Sequence, residues 1–271
     1  MADPAEFTPK GVSIVTGAAQ GIGKTIALRL ARDGFDVALN DIPSKEDQLK
    51  DIEKQITETG RRTLTVYADV SNEAQVKEMV GKVVDALGGL DVMIANAGIC
   101  PVTSMMEMSA EQWDTTFAVN SRGTFLCYKY AALQMIKQGR GGRIIGASSS
   151  AGKQGRKFCM AYSATKFAVR GMTQSAAWEL GKHGITVNAY APGVIETDMA
   201  RNMISDASNL DAKVDKASFT DNPSGRWGEP EEVAALVSFM ASKDSSFVTG
   251  EPHVPMVKLT QVLTSDHQDK R

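Results

Sequence analysis

Short runs rich in valine, isoleucine and leucine alternate with helical patterns along most of the chain, and no other feature restricts the fold as much. Strands are predicted at residues 12–16, 36–40, 63–67, 92–95, 143–147 and 186–190. Helices are predicted at 22–33, 45–59, 72–87, 123–138, 162–182 and 230–241. Strands that are nearly all apolar are buried on both faces, as in a parallel sheet covered by helices. Regular alternation with helices gives an α/β fold, a doubly wound parallel sheet in three layers. The 271 residues suit a single domain of this kind.

Composition narrows the function classes. Hydrophobic residues make up 42% and charged residues 23%, a globular balance. A formal net charge of −2 gives no reason to expect nucleic acid or an anionic membrane as partner. No apolar run is long enough to span a bilayer. Cys100, Cys127 and Cys159 are widely spaced, the three histidines are scattered, and neither set has metal-ligand spacing. The reading is a reduced, cytoplasmic compartment and no metal. Residues 1–10 read as a tail or cloning scar and are left out of the fold.

The first strand runs into "TGAAQGIGKT", with Gly17, Gly21 and Gly23 in the turn before a helix. Glycines let a diphosphate approach the backbone, and the helix start offers free N–H groups and a positive dipole end. The second strand ends at Asp41, eighteen residues after Gly23. An acid there accepts hydrogen bonds from an adenosine ribose and repels a 2′-phosphate. Neither Ala19 nor Gln20 offers a cation to such a phosphate, so the position selects NAD. Asp69 either meets the adenine or caps the helix beginning near Asn72.

In "CMAYSATKFAV", Tyr162 stands four residues before Lys166. On a helix these side chains are neighbours. A cation near a phenol lowers the phenol's pKa, which makes Tyr162 a candidate proton donor and acceptor.

"TGAAQGIG" at 16–23, "NAG" at 96–98, "YSATK" at 162–166 and "PG" at 192–193 occur in that order. With them the chain resembles the single-domain branch of the short-chain dehydrogenase/reductase family over about residues 11–250. Within it, "AGKQG" and Asp41 resemble the acetoin, diacetyl and 2,3-butanediol group. The resemblance implies a seven-stranded Rossmann sheet and NAD-linked interconversion of a small alcohol and its carbonyl. It implies that Tyr162 protonates the carbonyl oxygen as hydride reaches carbon, and that Lys166 lowers the Tyr162 pKa and holds the nicotinamide ribose. Ser149, thirteen residues before Tyr162, is the implied hydrogen-bond donor, although Ser148 and Ser150 leave that choice open. Asn120 is implied to hold a relay water. Oxidation of the alcohol is expected to be favoured at alkaline pH. Cofactor contacts are implied for Gln20 and Ile22 in the glycine turn, for Val70 beside Asp69, and for Asn96, Ala97 and Gly98. After the sixth strand, Pro192, Gly193, Val194 and Thr197 are implied near the nicotinamide and phosphates, or else serve chain reversal and helix capping.

Residues 200–227 read as an irregular substrate lid, with Met199, Met203, Phe219 and Trp227 on the substrate side. Residues 251–271 depart from the family pattern, because Pro252 and Pro255 would each remove a donor from a central strand. The helices at 123–138 and 162–182 are apolar over more of their circumference than one sheet face needs. A homodimer through them is expected, with a homotetramer in question because of the altered tail. Two other functions fit the same fold: a 3-oxoacyl-carrier-protein reductase and a non-catalytic dinucleotide-binding regulator. Asp41 argues against the first, and the intact Ser149, Tyr162 and Lys166 argue against the second.

Overall fold

The computed structural model describes residues 10–211 and 224–253. Its elements run β1 (Val12–Thr16), α1 (Gly21–Arg32), β2 (Asp36–Asp41), α2 (Glu46–Thr57), β3 (Thr63–Tyr67), α3 (Glu73–Leu87), β4 (Val92–Ala95) and α4 (Ala110–Phe117). They continue with α5 (Gly123–Gln138), β5 (Gly142–Ala147), α6 (Met160–Leu180), β6 (Ile185–Tyr190), α7 (Asp198–Leu210), α8 (Pro230–Ala241) and β7 (Pro252–His253). The sheet is parallel, in the order β3-β2-β1-β4-β5-β6-β7.

Alternation along each strand divides the core into two layers. Ile14, Ala38, Met93 and Ile144 pack with α3, α5 and the end of α6. Val15, Leu39, Ile94 and Ile145 pack with α1, α2 and α8 on the opposite face. Both faces are covered, so the strands need the unbroken apolar runs that made them legible. The chain winds one way from β1 to β3 and the other way from β4 onward. The crevice between β1 and β4, at their carboxyl ends, is therefore where such a sheet binds ligands. The glycine turn and the Asn96–Gly98 segment both open there.

Two expectations fail. Residues 200–227 are not irregular throughout, because α7 fills Asp198–Leu210. Thr197 caps it, its hydroxyl accepting from the Ala200 N–H at 3.3 Å. Polar residues hid the i, i+4 row of Met199, Met203 and Ala207. Phe219 lies outside the described residues, and Trp227 is buried. Pro252 does stand in a strand, but among the described residues β7 pairs only with β6, as an edge where a missing donor costs no ladder bond. Pro255 lies outside the described residues. Among the described residues, no helix is long and apolar enough to cross a membrane.

Candidate active site

Helix α6 carries Tyr162 and Lys166 one turn apart, as their spacing requires. The Lys166 ammonium lies 5.3 Å from the centre of the Tyr162 ring and donates to the Ala147 carbonyl, at the end of β5, at 2.8 Å. Just beyond β5 the three serines take different partners. The Ser149 side chain stands beside the Tyr162 phenol and opposes the rise in its pKa, while its hydroxyl accepts from the Ala151 N–H at 3.1 Å. Ser148 donates to the Lys166 carbonyl at 3.0 Å, and the Ser150 N–H donates to the Pro192 carbonyl at 2.9 Å. Ser149 is thus the serine the fold brings to the tyrosine.

The electrostatics reverse one expectation. The Tyr162 phenol is pushed above its ordinary value, chiefly by burial, with Ser149 opposing. The Lys166 ammonium is itself desolvated, which lowers its pKa to about 8. Loss of water at this depth outweighs attraction across the ring.

Asn120 sits in a π-helical turn, Ala118–Arg122, between α4 and α5. Such turns re-aim side chains, often at functional sites. Its Oδ1 accepts from the Ile99 N–H, and its Nδ2 donates to the Ile99 carbonyl, both at 2.8 Å. A third bond runs from Nδ2 to the Thr165 hydroxyl at 3.1 Å. Asn120 thereby ties the segment after β4 to α6. A Cβ built on Gly98 would stand 3.2 Å from Asn120 Oδ1 and 3.4 Å from Lys166 Nζ, so both polar groups flank this backbone.

The glycine turn fits a dinucleotide. Gly17 has φ +64°, and a Cβ there would stand 2.9 Å from the Ala97 Cα. A Cβ on Gly23 would overlap the Gly17 carbonyl oxygen. Gln20 makes no side-chain cap and the first turn holds no acid, so the start of α1 (Gly21, Ile22, Gly23) keeps its N–H groups for an anion. Thr197 borders the turn, its Cγ2 standing 3.3 Å from where a Gly21 Cβ would be. Asp41 accepts from the Ala19 N–H at 3.1 Å and the Ile42 N–H at 2.9 Å. A carboxylate has about four acceptor sites, which leaves room for ribose hydroxyls. The fold does bring one cation to this edge: Lys45 donates to Gln20 Oε1 at 3.0 Å. Twenty-five residues separate the pair, which no local pattern could reveal.

The remaining expected residues hold the frame. Asn96 donates to the carbonyls of Thr16 and Gly17 and accepts from the Tyr190 phenol at 2.7 Å, locking β1, β4 and β6 together. The Ala97 N–H donates to the Thr16 hydroxyl. Asp69 does not cap α3; it accepts from the Ser71 N–H at 2.8 Å, while Asn72 makes the cap. Val70 packs against Gly123, where a Cβ would stand 2.8 Å from its Cγ2. Pro192 is buried, Gly193 and Val194 are partly exposed, and the Val194 carbonyl accepts from the Gly228 N–H at 3.0 Å. Sequence reasoning gave no role to Cys100 and Cys159, which neighbour Tyr162. Cys159 stands three residues before the tyrosine, a helical-face spacing that could have flagged it.

A family model described as "Enoyl-(Acyl carrier protein) reductase" matches residues 17–254. A short-chain dehydrogenase/reductase of Armillaria gallica is 50% identical over 240 residues, 89% of this chain and 92% of that protein. A diacetyl reductase [(S)-acetoin forming] of Staphylococcus epidermidis is 43% identical, covering 88% and 94%. An L-2,3-butanediol dehydrogenase of Corynebacterium glutamicum is 40% identical, covering 89% and 95%. Among solved structures, levodione reductase superposes with a TM-score of 0.86 at 33% identity, covering 92% and 96%. A short chain dehydrogenase from Mycobacterium paratuberculosis bound to NAD superposes at 0.83 and 30% identity, covering 91% and 96%. Fold, motif order and these likenesses agree: the chain is an oxidoreductase that belongs to the short-chain dehydrogenase/reductase family.

Proposed function

We propose that the protein is an NAD(H)-dependent oxidoreductase of small alcohol and carbonyl pairs of the diol, acetoin or polyol type, with Tyr162 as its general acid and base. The observation that carries this reading is the buried Lys166 ammonium 5.3 Å from the centre of the Tyr162 ring, one turn away on α6, with Ser149 beside the phenol. Relatives named for diacetyl and 2,3-butanediol support the substrate class. Asp41 at the end of β2 and the NAD-bound neighbour support the cofactor.

The glycine turn would hold the diphosphate, Asp41 the adenosine ribose, and Lys166 the ribose next to the nicotinamide. When bound, the nicotinamide supplies or accepts the hydride. A phenol held above its ordinary pKa stays protonated at neutral pH, so Tyr162 is set to give its proton to a carbonyl oxygen. Ser149 donates to the same oxygen as negative charge develops on it. Alcohol oxidation needs the phenolate and so gains with rising pH. Asn120 holds the Ile99 backbone, and its Oδ1 retains a lone pair for a water beside Lys166. The exposed apolar side chains Phe125, Leu133, Phe167 and Trp178 on α5 and α6 support a homodimer through these helices. Three free thiols fit a reducing, cytoplasmic setting.

The test is a substrate panel read by NADH absorbance: diacetyl, acetoin, butanediol stereoisomers, polyols and a 3-oxoacyl thioester, each also with NADPH. Turnover of the small carbonyls with NADH is expected. A preference for the thioester with NADPH would establish the carrier-protein reductase instead, and no turnover with any pair would leave only the binding role.

A further inference from the structure

Asn40, the fifth residue of β2, places an amide inside an apolar layer. It is 1% exposed and alternates onto the sheet face that holds Ala38, Val66, Ala68 and Val70. Its Nδ2 donates to the Val66 carbonyl at 3.0 Å and to the Ala68 carbonyl at 3.1 Å. Two carbonyl partners fix which end of the amide is the NH2 group. Its Oδ1 has no hydrogen-bond partner among the described residues. A buried acceptor left unpaired costs stability, so the fold alone does not account for an amide at this position.

The amide stands where the walls of the proposed adenosine site meet. The Asn40 main-chain carbonyl accepts from the Ala18 N–H, in the glycine turn, at 2.9 Å. The next residue, Asp41, takes the Ala19 N–H on its carboxylate and the Ala68 N–H on its main-chain carbonyl, both at 3.1 Å. Ala68 is the residue just past β3, and the chain continues from it into Asp69 and Val70, the segment expected to meet the adenine. That segment is held elsewhere too: the Asp69 N–H donates to Gln75 Oε1 at 2.7 Å, and Val70 packs against Gly123. Asn40 thus joins the end of β3 through its side chain and the glycine turn through its backbone.

We propose that Asn40 is a positioning residue for the cofactor: its buried amide sets the Ala68–Val70 segment against the glycine turn and so shapes the slot that takes the adenosine. It acts through the Ala68 carbonyl rather than by touching the cofactor. The inference rests on the NAD(H) reading and adds to it the residue that preorganises the adenosine end. The last paired residues of β2 and β3 are Asp41 and Tyr67, so Ala68 lies beyond the paired register. Without the amide its carbonyl loses a donor, and the segment that follows is freer to shift. A site ordered before its ligand arrives binds more tightly, because less ordering remains to be done on binding.

The experiment is a calorimetric titration of ADP-ribose, the cofactor without its nicotinamide, into full-length wild type, Asn40→Leu and Asn188→Leu, with urea midpoints on the same preparations. Asn188 is the matched control: a buried amide of β6 whose Nδ2 donates to the Val248 carbonyl at 2.8 Å and whose Oδ1 also has no partner among the described residues. ADP-ribose binding should weaken about tenfold in Asn40→Leu, the size of one or two net hydrogen bonds, and stay near wild type in Asn188→Leu. With the best carbonyl substrate the KM for NADH should rise by a similar factor, so that the loss lies mainly in kcat/KM rather than in kcat. Unchanged ADP-ribose affinity in Asn40→Leu overturns the proposal, as does an equal weakening in Asn188→Leu. Asn40→Ser, which keeps a short hydroxyl donor, is the second variant. Failure of both Asn40 variants to fold would make the amide a residue of the fold alone and overturn the proposal too. The titration needs no substrate: a wild type that does not bind ADP-ribose defeats the cofactor reading, whereas equal binding by wild type and Asn40→Leu defeats only the positioning role.

Discussion

Two helical glycines make opposite use of a missing side chain, and alanine at each should separate them. Gly81 is an exposed residue of α3 with open space where a Cβ would be. Gly81→Ala should therefore gain the helix-propensity difference, about 1 kcal/mol. Gly23 lies in the first turn of α1. Its Cβ would overlap the Gly17 carbonyl oxygen and stand 2.5 Å from Asn96 Nδ2. The Asn96 amide donates to that same carbonyl at 3.1 Å, so the methyl group pushes on both members of one hydrogen bond. Overpacking costs about 1–3 kcal/mol, and the strained hydrogen bond adds about 1. The same propensity gain of about 1 kcal/mol offsets part of this. Gly23→Ala should thus destabilise by about 1–3 kcal/mol, and the two variants should differ by about 2–4. Urea unfolding at one protein concentration measures both as midpoint shifts at constant m-value. NADH binding, followed by fluorescence, should weaken in Gly23→Ala alone. A Gly23→Ala protein as stable as Gly81→Ala, with unchanged NADH affinity, would refute the packing argument and the assignment of this turn to the cofactor.

The Asp41 carboxylate should favour NADH over NADPH by at least about tenfold in affinity, the size of about 1.4 kcal/mol of charge repulsion. Asp41→Ser with Ile42→Arg should move the preference towards NADPH, aided by Lys45, and fluorescence titration with both cofactors checks this. Burial lowers the Lys166 pKa to about 8, and its ammonium is the form that favours an anionic cofactor. Deprotonation removes that attraction as pH rises, so the NADH dissociation constant should climb above about pH 8, and Lys166→Arg should remove the inflection. Trp178 is 91% exposed on α6, at the proposed dimer face. Trp178→Glu with Leu133→Glu should shift sedimentation at micromolar concentration from dimer towards monomer, whereas an unchanged profile would move the contact elsewhere.

Much of the fold was legible because both sheet faces are covered. Val12–Thr16 and Val92–Ala95 are buried at every position, so no alternation was needed to see them as strands. Helix α4 was missed although its capping box, Ser109 with Gln112, stands in the sequence. Helix α7 was missed because its buried side rests on alanines rather than large apolar residues. The Tyr162–Lys166 pair could be read from helical spacing alone. The choice of Ser149 among three serines could not, because it depends on how the chain turns after β5. Nor could the direction of the Tyr162 shift, which burial decides. Contacts such as Lys45 with Gln20 and Asn120 with Thr165 join residues that only the folded chain brings together.

Replacing one oxygen tests the central claim most directly. Tyr162→Phe keeps the ring on α6 and removes the hydroxyl beside Ser149. The measurement is NADH-linked turnover of the best small carbonyl substrate by wild type and variant, with NADH affinity and urea midpoint recorded on the same preparations. Loss of a general acid is worth on the order of 10²-fold or more. The account expects turnover to fall by at least that factor while cofactor affinity and stability stay near wild type. Wild-type turnover in Tyr162→Phe would contradict it.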